Sequence, residues 1–394
     1  MTDHDHAYQV PPAEFADRQR RAAAAARAAG YDGILVCSRG GGTVDRYANV
    51  LYLANFYSSF PFIPDVAGHW SARAHAFIVL PVEGAPVLIT DMPVKKDEVR
   101  IADVLTGDDV VGLVAQAVNE RGLGRARLAV AGADALPWTS FRAVQAALPE
   151  AVFEPADALL DRLRMIKSPA EIAVLRRVSE IGGEAIDAMM DKAVAGATHG
   201  KVMGEGLRCL AAHGAMLYNN FIGSGRGGND PRMHYADFPT WSSTARIEDG
   251  DWFHIGASGV WRGYYFDHSR SKPIGNPTAP QIEAFEAAIA AVEGSMARIR
   301  AGATAGEVAD AGYDALRARG FSTQSDFNGM GHGVGMGWDL PWLVPGDPTV
   351  LEPNMVLCVE RSVEKHGYVG DFEQTVVVTE TGHELLTHAR KRRW

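Results

Sequence analysis

Four side chains of the 394-residue chain stand where ordinary roles fit poorly. Asp267 lies among aromatics in Tyr264-Tyr265-Phe266-Asp267-His268-Ser269-Arg270. An acid in such surroundings is costly to bury unless it is paired or holds a metal. His332 lies in Gly331-His332-Gly333-Val334-Gly335, and the flanking glycines let backbone come close to the imidazole's partner. Glu360 ends the apolar strand Met355-Val356-Leu357-Cys358-Val359, and Glu373 opens Gln374-Thr375-Val376-Val377-Val378. Carboxylates at strand ends that face a core are unusual. Three carboxylates and an imidazole form a ligand set suited to Mn, Fe, Co or Zn, and the lack of thiolate argues against a soft site. Such an ion would lower the pKa of bound water and polarise a carbonyl. Taken singly, each residue also fits a salt bridge or a turn, and spacing alone does not bring the four together.

The elements that must position these residues fall into two groups. In the first part, an Ala- and Arg-rich stretch over 14–29 reads as a surface helix ended by Gly30. Short apolar strands follow at 33–37, 76–81 and 86–90, the last two joined as a hairpin. Further strands at 128–131 and 152–153 alternate with helices at 109–122 and 140–148, which predicts an α/β domain with a mixed sheet. Composition shifts near 157, giving expected domains of 1–157 and 158–394. Ser168-Pro169-Ala170-Glu171 then carries a capping box and a first-turn proline. Long helices over 169–193, 200–213, 278–300 and 304–319 accompany strands near 252–256, 262–270, 355–360 and 373–379. That half reads as α+β, an antiparallel sheet covered by helices.

Composition narrows the function. With 38 Lys+Arg against 48 Asp+Glu the net charge is -10, which argues against nucleic-acid binding. Arg390-Lys391-Arg392-Arg393 is the only dense basic run and reads as a solvated tail. Cys37, Cys209 and Cys358 are scattered and read as reduced, buried thiols. The polar N-terminus shows no signal peptide, and no apolar run reaches the length of a membrane span. The expectation is a cytoplasmic enzyme that acts on a small molecule and binds neither nucleic acid nor membrane.

From about Asp161 onward the chain resembles the creatinase–prolidase–methionine aminopeptidase superfamily, the pita-bread fold. The resemblance rests on Arg164-Met165-Ile166-Lys167-Ser168-Pro169-Ala170-Glu171-Ile172, on the glycine loop around His332, and on Asp267-His268-Ser269-Arg270-Ser271. It also rests on the strands that carry Glu360 and Glu373 (Leu351 to Glu360 and Asp371 to Gly382). Asn49-Val50-Leu51-Tyr52-Leu53 is similar to the prolidase-type N-terminal domain. The resemblance implies a pita-bread catalytic domain preceded by a smaller creatinase-type α/β domain, a homodimer, and a site of one or two divalent ions. Asp267, His332, Glu360 and Glu373 would be its ligands.

The chain also departs from that pattern. The family's first aspartate ligand opens an Asp-x-Gly segment on the strand before Asp267, and here the stretch reads His254-Ile255-Gly256-Ala257. His254 is 13 residues before Asp267, two more than usual, implying a small insertion or bulge. Imidazole can replace carboxylate as a ligand, so His254 is a candidate ligand of a weakened first position. A core histidine is the alternative. Peptidase members place a histidine four residues before the metal histidine and a His-Glu pair seven residues after it. Asn328 and Asp339-Leu340 stand there instead, which counts against proline-peptide cleavage. The stretch from His332 to Pro341 is similar to the dimethylsulfoniopropionate lyase branch, in which Asp339 would remove a proton.

His234 stands where the superfamily has a substrate-side histidine and could act as acid or base. Arg226 could pair a substrate carboxylate, and Tyr265 is a further candidate for substrate binding. The stretch Tyr57-Ser58-Ser59-Phe60-Pro61-Phe62 and Trp70 could reach a partner's active site or simply pack. The leading expectation is metal-dependent hydrolysis of a C–N bond in a small polar substrate. The alternatives are a metal-dependent lyase, an Xaa-Pro peptidase, a metal-free creatinase-like amidinohydrolase and a non-catalytic binding protein.

Overall fold

Ser168 starts the first long helix of the second half in the manner its sequence predicts. Its hydroxyl accepts from the Glu171 amide at 3.1 Å, and the Glu171 carboxylate accepts from the Ser168 amide at 3.0 Å. The structure is a computed structural model and describes residues 8–39, 47–58, 60, 61, 63–227, 230, 241–323, 329–365 and 368–393. The chain divides into two units, Met1–Arg164 and Met165–Trp394, rather than at 157. The helix after the expected boundary belongs with the first unit. Its Leu163 carbonyl accepts from the Tyr52 hydroxyl at 3.3 Å, and Arg164 donates to Asn49 Oδ1 at 3.0 Å.

The first unit is built on six strands: β1 (Gly33–Arg39), β2 (His75–Pro81), β3 (Val87–Thr90), β4 (Asp103–Thr106), β5 (Arg127–Ala131) and β6 (Val152–Pro155). Their order is β4-β3-β2-β1-β5-β6. β1, β2 and β3 pair antiparallel, whereas β4, β5 and β6 each join their neighbour parallel. This is the mixed sheet that alternating elements imply. The expected hairpin pairs Ala76 with Thr90 through Val79 with Val87. β4 escapes sequence reading because it has four residues and none is buried. Helices α1 (Pro12–Ala28), α2 (Ala48–Ala54), α3 (Val110–Glu120), α4 (Trp138–Ala147) and α5 (Ala158–Met165) complete the run of elements up to the second unit.

The second unit carries four long helices, α6 (Pro169–Lys192), α7 (His199–Ala212), α8 (Ala279–Arg298) and α9 (Ala305–Ala318). One of its sheets is the antiparallel triplet β7 (Met216–Gly225), β8 (Trp252–Trp261) and β9 (Tyr264–Pro273). The other has β10 (Gly331–Val334), β11 (Trp338–Trp342), β12 (Val356–Lys365), β13 (Tyr368–Val378) and β14 (His383–Leu385), in the order β11-β10-β12-β13-β14. Trp252, Phe285 and Phe372 join β8, α8 and β13 through edge-on rings, 5.8 and 6.0 Å between centroids. Burying such rings supplies much of a core's stabilisation. Hydroxyls of β9 reach across to β13: Ser269 Oγ donates to Asp371 Oδ1 at 3.0 Å, and Ser271 Oγ donates to the Asp371 carbonyl at 3.2 Å. The two sheets therefore meet along β9 and β13, the strands that carry Asp267 and Glu373.

β7 includes Gly223 and Gly225, which pair in the ladder with His254 and Trp252. One sequence expectation is corrected here. The C-terminal basic run is no solvated tail. Arg390 and Arg393 pair with Asp187 and Asp191 on α6, and Lys391 pairs with Glu293 on α8. Arg392 meets Glu286 of α8 at 2.6 and 2.7 Å. The run straps α6 to α8. Of the cysteines, Cys37 and Cys358 are buried as expected, while Cys209 is half-buried.

Candidate metal centre

Backbone geometry alone places His332. Gly331 has φ +126°, and a Cβ there would run into the Cys358 carbonyl. Only glycine lets β10 press this closely on β12, where His332 pairs with Cys358. His332 Nδ1 lies 2.9 Å from the Gly333 carbonyl. A carbonyl only accepts, so Nδ1 carries the proton and the Nε2 lone pair points away. Nε2 lies 3.7 Å from Asp267 Oδ2 and 3.5 Å from Glu360 Oε1. Burial pushes the imidazole down to about 4, so at neutral pH it is uncharged. An uncharged lone pair facing two ionised acid oxygens is unfavourable unless a cation or a proton lies between them.

The carboxylates converge by strand register. Glu360 on β12 stands opposite Glu373 on β13. Asp267 on β9 stands opposite Ser258 on β8. Ser258 Oγ donates to Asp267 Oδ1 at 3.0 Å, and the Trp338 indole donates to Oδ2 at 2.7 Å. Burial, with the charge of Asp371 adding, holds the Asp267 carboxyl up at about 7 against these two donors. Burial and then the neighbouring carboxylates raise Glu360 and Glu373 well above the usual range. Among the described residues no Lys or Arg nitrogen forms an ion pair with these three acids, and Glu373 Oε1 is buried with no hydrogen bond. Buried charge without a partner is costly.

These groups line or back a cleft of about 230 Å³. Asn219, Asn220 and Phe221 of β7 form one wall, Trp338 and Trp342 of β11 another, and Asp267, His332, Glu360 and Ser362 the floor. The rings of Trp342 and Trp338 stand 5.1 and 5.7 Å from that of His332. The donor set fits a divalent cation. Two ligands at about 2.1 Å from one tetrahedral ion stand roughly 3.4 Å apart, close to the separations around His332 Nε2.

The other expected site residues fall elsewhere. The β8–β9 ladder runs without a break from Trp252↔Pro273 to Trp261↔Tyr264, so no bulge carries His254 toward Asp267. His254 pairs with Ser271, four residues along β9 from Asp267, and the cleft wall is formed by Gly256 and Ser258. Asp339 is buried behind the glycine loop, its Oδ2 3.4 Å from the Lys167 ammonium, and it does not line the cleft. Tyr265 is buried edge-on to Tyr218 at 5.4 Å, and its amide donates to the Gly335 carbonyl. The Arg226 guanidinium donates to the Asp249 carbonyl at 2.6 Å and is not among the cleft residues. His234 and Asn328 lie outside the described residues, as do Ser59 and Phe62. In the first unit, Tyr57 packs edge-on to Tyr47 at 4.7 Å and the Trp70 indole donates to the Pro64 carbonyl.

Sequence reasoning missed Trp338, Trp342, Phe221, Asn219, Asn220 and Ser258 as cleft residues. The Trp338-x-x-x-Trp342 spacing beside the histidine loop was the available signal. Around His332 the short approaches are pairwise, to Asp267 and to Glu360. Among the described residues, the group of three whose ligand atoms all come within 4.8 Å of one another lies instead on α6 and α7 and consists of Glu184, Cys209 and His213. There the Arg177 guanidinium, 3.4 Å from His213 Nδ1, already supplies the positive charge.

An antiparallel pita-bread unit with inward carboxylates and an imidazole, following a mixed α/β unit, defines a metal-dependent hydrolase. Comparison with known proteins agrees. Residues 173–380 match the metallopeptidase family M24, and residues 18–166 match the creatinase/prolidase N-terminal domain. The chain belongs to metallopeptidase family M24 and is an enzyme of the metallohydrolase class. A Mycobacterium tuberculosis protein described as "Probable dipeptidase PepE" is 29% identical over 80% of this chain and 87% of its own length. The crystal structure of dipeptidase PepE from Mycobacterium ulcerans superposes with a TM-score of 0.75 at 26% identity, covering 98% of each chain. The prolidase of Pyrococcus horikoshii shares the fold at a TM-score of 0.78 and 20% identity, over 95% of this chain and 99% of its own.

Proposed function

We propose that this enzyme hydrolyses a C–N bond in a small polar substrate of about dipeptide size, with a divalent transition metal (Mn, Fe, Co or Zn) held by Asp267, His332, Glu360 and Glu373. The observation that carries this reading is the neutral His332 Nε2 facing Asp267 and Glu360 at 3.7 and 3.5 Å inside the cleft. Such an ion supplies Lewis acidity, lowering the pKa of a water and polarising the scissile carbonyl. The chain's own residues fix the geometry. The Gly333 carbonyl sets the imidazole tautomer, a role often met behind metal-bound histidines. Ser258 and Trp338 hold both oxygens of Asp267. The rings of Phe221, Trp338 and Trp342 line the cleft. The names of the relatives, dipeptidases and Xaa-Pro peptidases, support a substrate of this size.

Metal analysis and a substrate screen in ¹⁸O-labelled water test the proposal. The screen covers proline dipeptides, guanidino acids, cyclic amidines and sulfonium acids. One labelled oxygen in the product, with activity abolished by chelator and restored by metal, is the expected result. An unlabelled alkene product replaces hydrolysis with elimination. Activity that survives chelation removes the metal from the reaction.

A further inference from the structure

Cys209 and His213 stand four residues apart at the end of α7, a spacing that puts two side chains on one face of a helix. Glu184, in the middle of α6, meets them there. His213 Nε2 lies 2.8 Å from Glu184 Oε2, and the ligand atoms of all three residues come within 4.8 Å of one another. Close packing of the two helices keeps them near. Gly206 lies three residues before Cys209 and has no side chain; a Cβ there would run into Met189 of α6. His213 also closes α7 at its C-terminal end, where the helix dipole favours a cation.

This donor set differs in kind from that of the cleft. A thiolate, an imidazole and a carboxylate suit zinc and its borderline-soft neighbours, whereas Mn and Mg prefer oxygen. Three protein ligands leave the fourth tetrahedral position to water. Ligand atoms on one such ion stand roughly 3.4 to 3.6 Å apart, so the imidazole and the carboxylate need only part slightly. Glu184 is exposed and Cys209 and His213 are half-buried, which leaves room for that adjustment. Burial, and then the charge of Glu184, holds the Cys209 thiol above its ordinary range, so its proton passes to solvent when an ion binds. The competing cation is Arg177, 3.4 Å from His213 Nδ1 and 3.8 Å from Glu184 Oε1. Its closer partner is Glu180, at 2.9 Å, and that pair survives when a metal takes Glu184.

We propose that Glu184, Cys209 and His213 form a metal site outside the cleft, which takes a zinc-like dication and clips the end of α7 to the middle of α6. The ion binds the Glu184 carboxylate, the Cys209 thiolate and Nε2 of His213, and Nδ1 then carries the ring proton. None of the three residues lines the cleft, so the site stands independently of the chemistry read there.

The test adds Co²⁺ to chelator-stripped protein and reads the near-ultraviolet charge-transfer band that a thiolate gives on binding cobalt. An ion held by carboxylates and imidazole in the cleft does not produce this band. The wild type shows it with the amplitude of one thiolate-bound ion per chain, and Zn²⁺ bleaches it. Cys209→Ser abolishes the band, and His213→Gln weakens binding by roughly tenfold or more. Arg177→Gln, which removes the competing cation, tightens binding severalfold. Zn²⁺ raises the melting temperature of the wild type by more than that of Cys209→Ser, as an ion bound only to the folded state does. Absence of the band in the wild type overturns the proposal, as does a band that survives Cys209→Ser. Uptake that half-saturates only in the millimolar range marks an adventitious ion only and overturns it as well. Each of these outcomes leaves the reading of the cleft untouched.

Discussion

The cleft and the C-terminal strap use the same charged groups in opposite ways. In the strap, Arg390, Lys391 and Arg392 meet carboxylates of α6 or α8 at the surface, and the more buried Arg393 meets Asp187 and Asp191. Around the cleft, Asp267, Glu373 and Asp371 are buried and Glu360 is half-buried, with no Lys or Arg ion pair among the described residues. Surface pairs contribute little, because water already solvates both partners. Unpaired buried charges cost a great deal, so the fold must supply the energy that holds them together. On the proposed reading, a cation among these acids would relieve the repulsion between them.

The sharpest way to break this contrast is Glu360→Gln. Removing a cleft carboxylate should lower kcat/KM by about 1000-fold if an ion there carries the Lewis-acid chemistry, measured on the substrate the screen identifies. An active Glu360→Gln protein would place the chemistry elsewhere.

Next in size is the pH dependence of stability. Asp267 stands at about 7 in the folded metal-free protein against 3.8 as its ordinary value. A raised folded value means the native state binds the extra proton between these limits, so this stabilising contribution is complete below about pH 4 and is lost as pH rises through about 7. For Asp267 alone the loss is on the order of 4 kcal/mol. Urea melts in EDTA should show stability falling from pH 4 to pH 7.5, and melts with saturating Mn²⁺ should lack that fall. Equal pH slopes in both conditions would refute the idea that the acids are unpaired without metal.

Lys167 and Asp339 form a case between the two regions, buried yet paired at 3.4 Å. Lys167→Met removes the cation beside a buried carboxylate and should cost about 3 kcal/mol, read by denaturant midpoint. Adding Asp339→Leu should recover most of it. If the single variant is as stable as the wild type, the pair is not what anchors the Gly331–Gly335 loop against the start of α6. Smallest is Arg392→Ala, a half-exposed pair, which should cost only about 0.5 kcal/mol and less at high salt. A loss of several kcal/mol there would show that the strap acts as one cooperative network.

Much of this was legible along the chain. Ser168 and Glu171 announce a capping box because the motif is local, and the structure contains both of its hydrogen bonds. The long helices of the second unit begin and end within two residues of their expected limits, since apolar periodicity and caps are also local. Strands were less legible where burial failed to mark them: β4 is solvent-facing, and the first six residues of β7 are exposed or half-buried. The basic run looked solvated because its partners, Asp187, Asp191, Glu286 and Glu293, lie about 100 or more residues away.

The sequence by itself determined which residue types could do chemistry: carboxylates at strand ends and a histidine between glycines, groups whose presence there is costly without a purpose. Tertiary structure alone decided which of them meet. Register across β8 and β9 removed His254 from the cleft and brought in Gly256 and Ser258. The β12–β13 ladder set Glu360 against Glu373 and carried Asp371 to the hydroxyl of Ser269. The reason is that side chains on a strand alternate sides and match their neighbours by position. One residue of slip re-aims every ligand, and no local motif records the register.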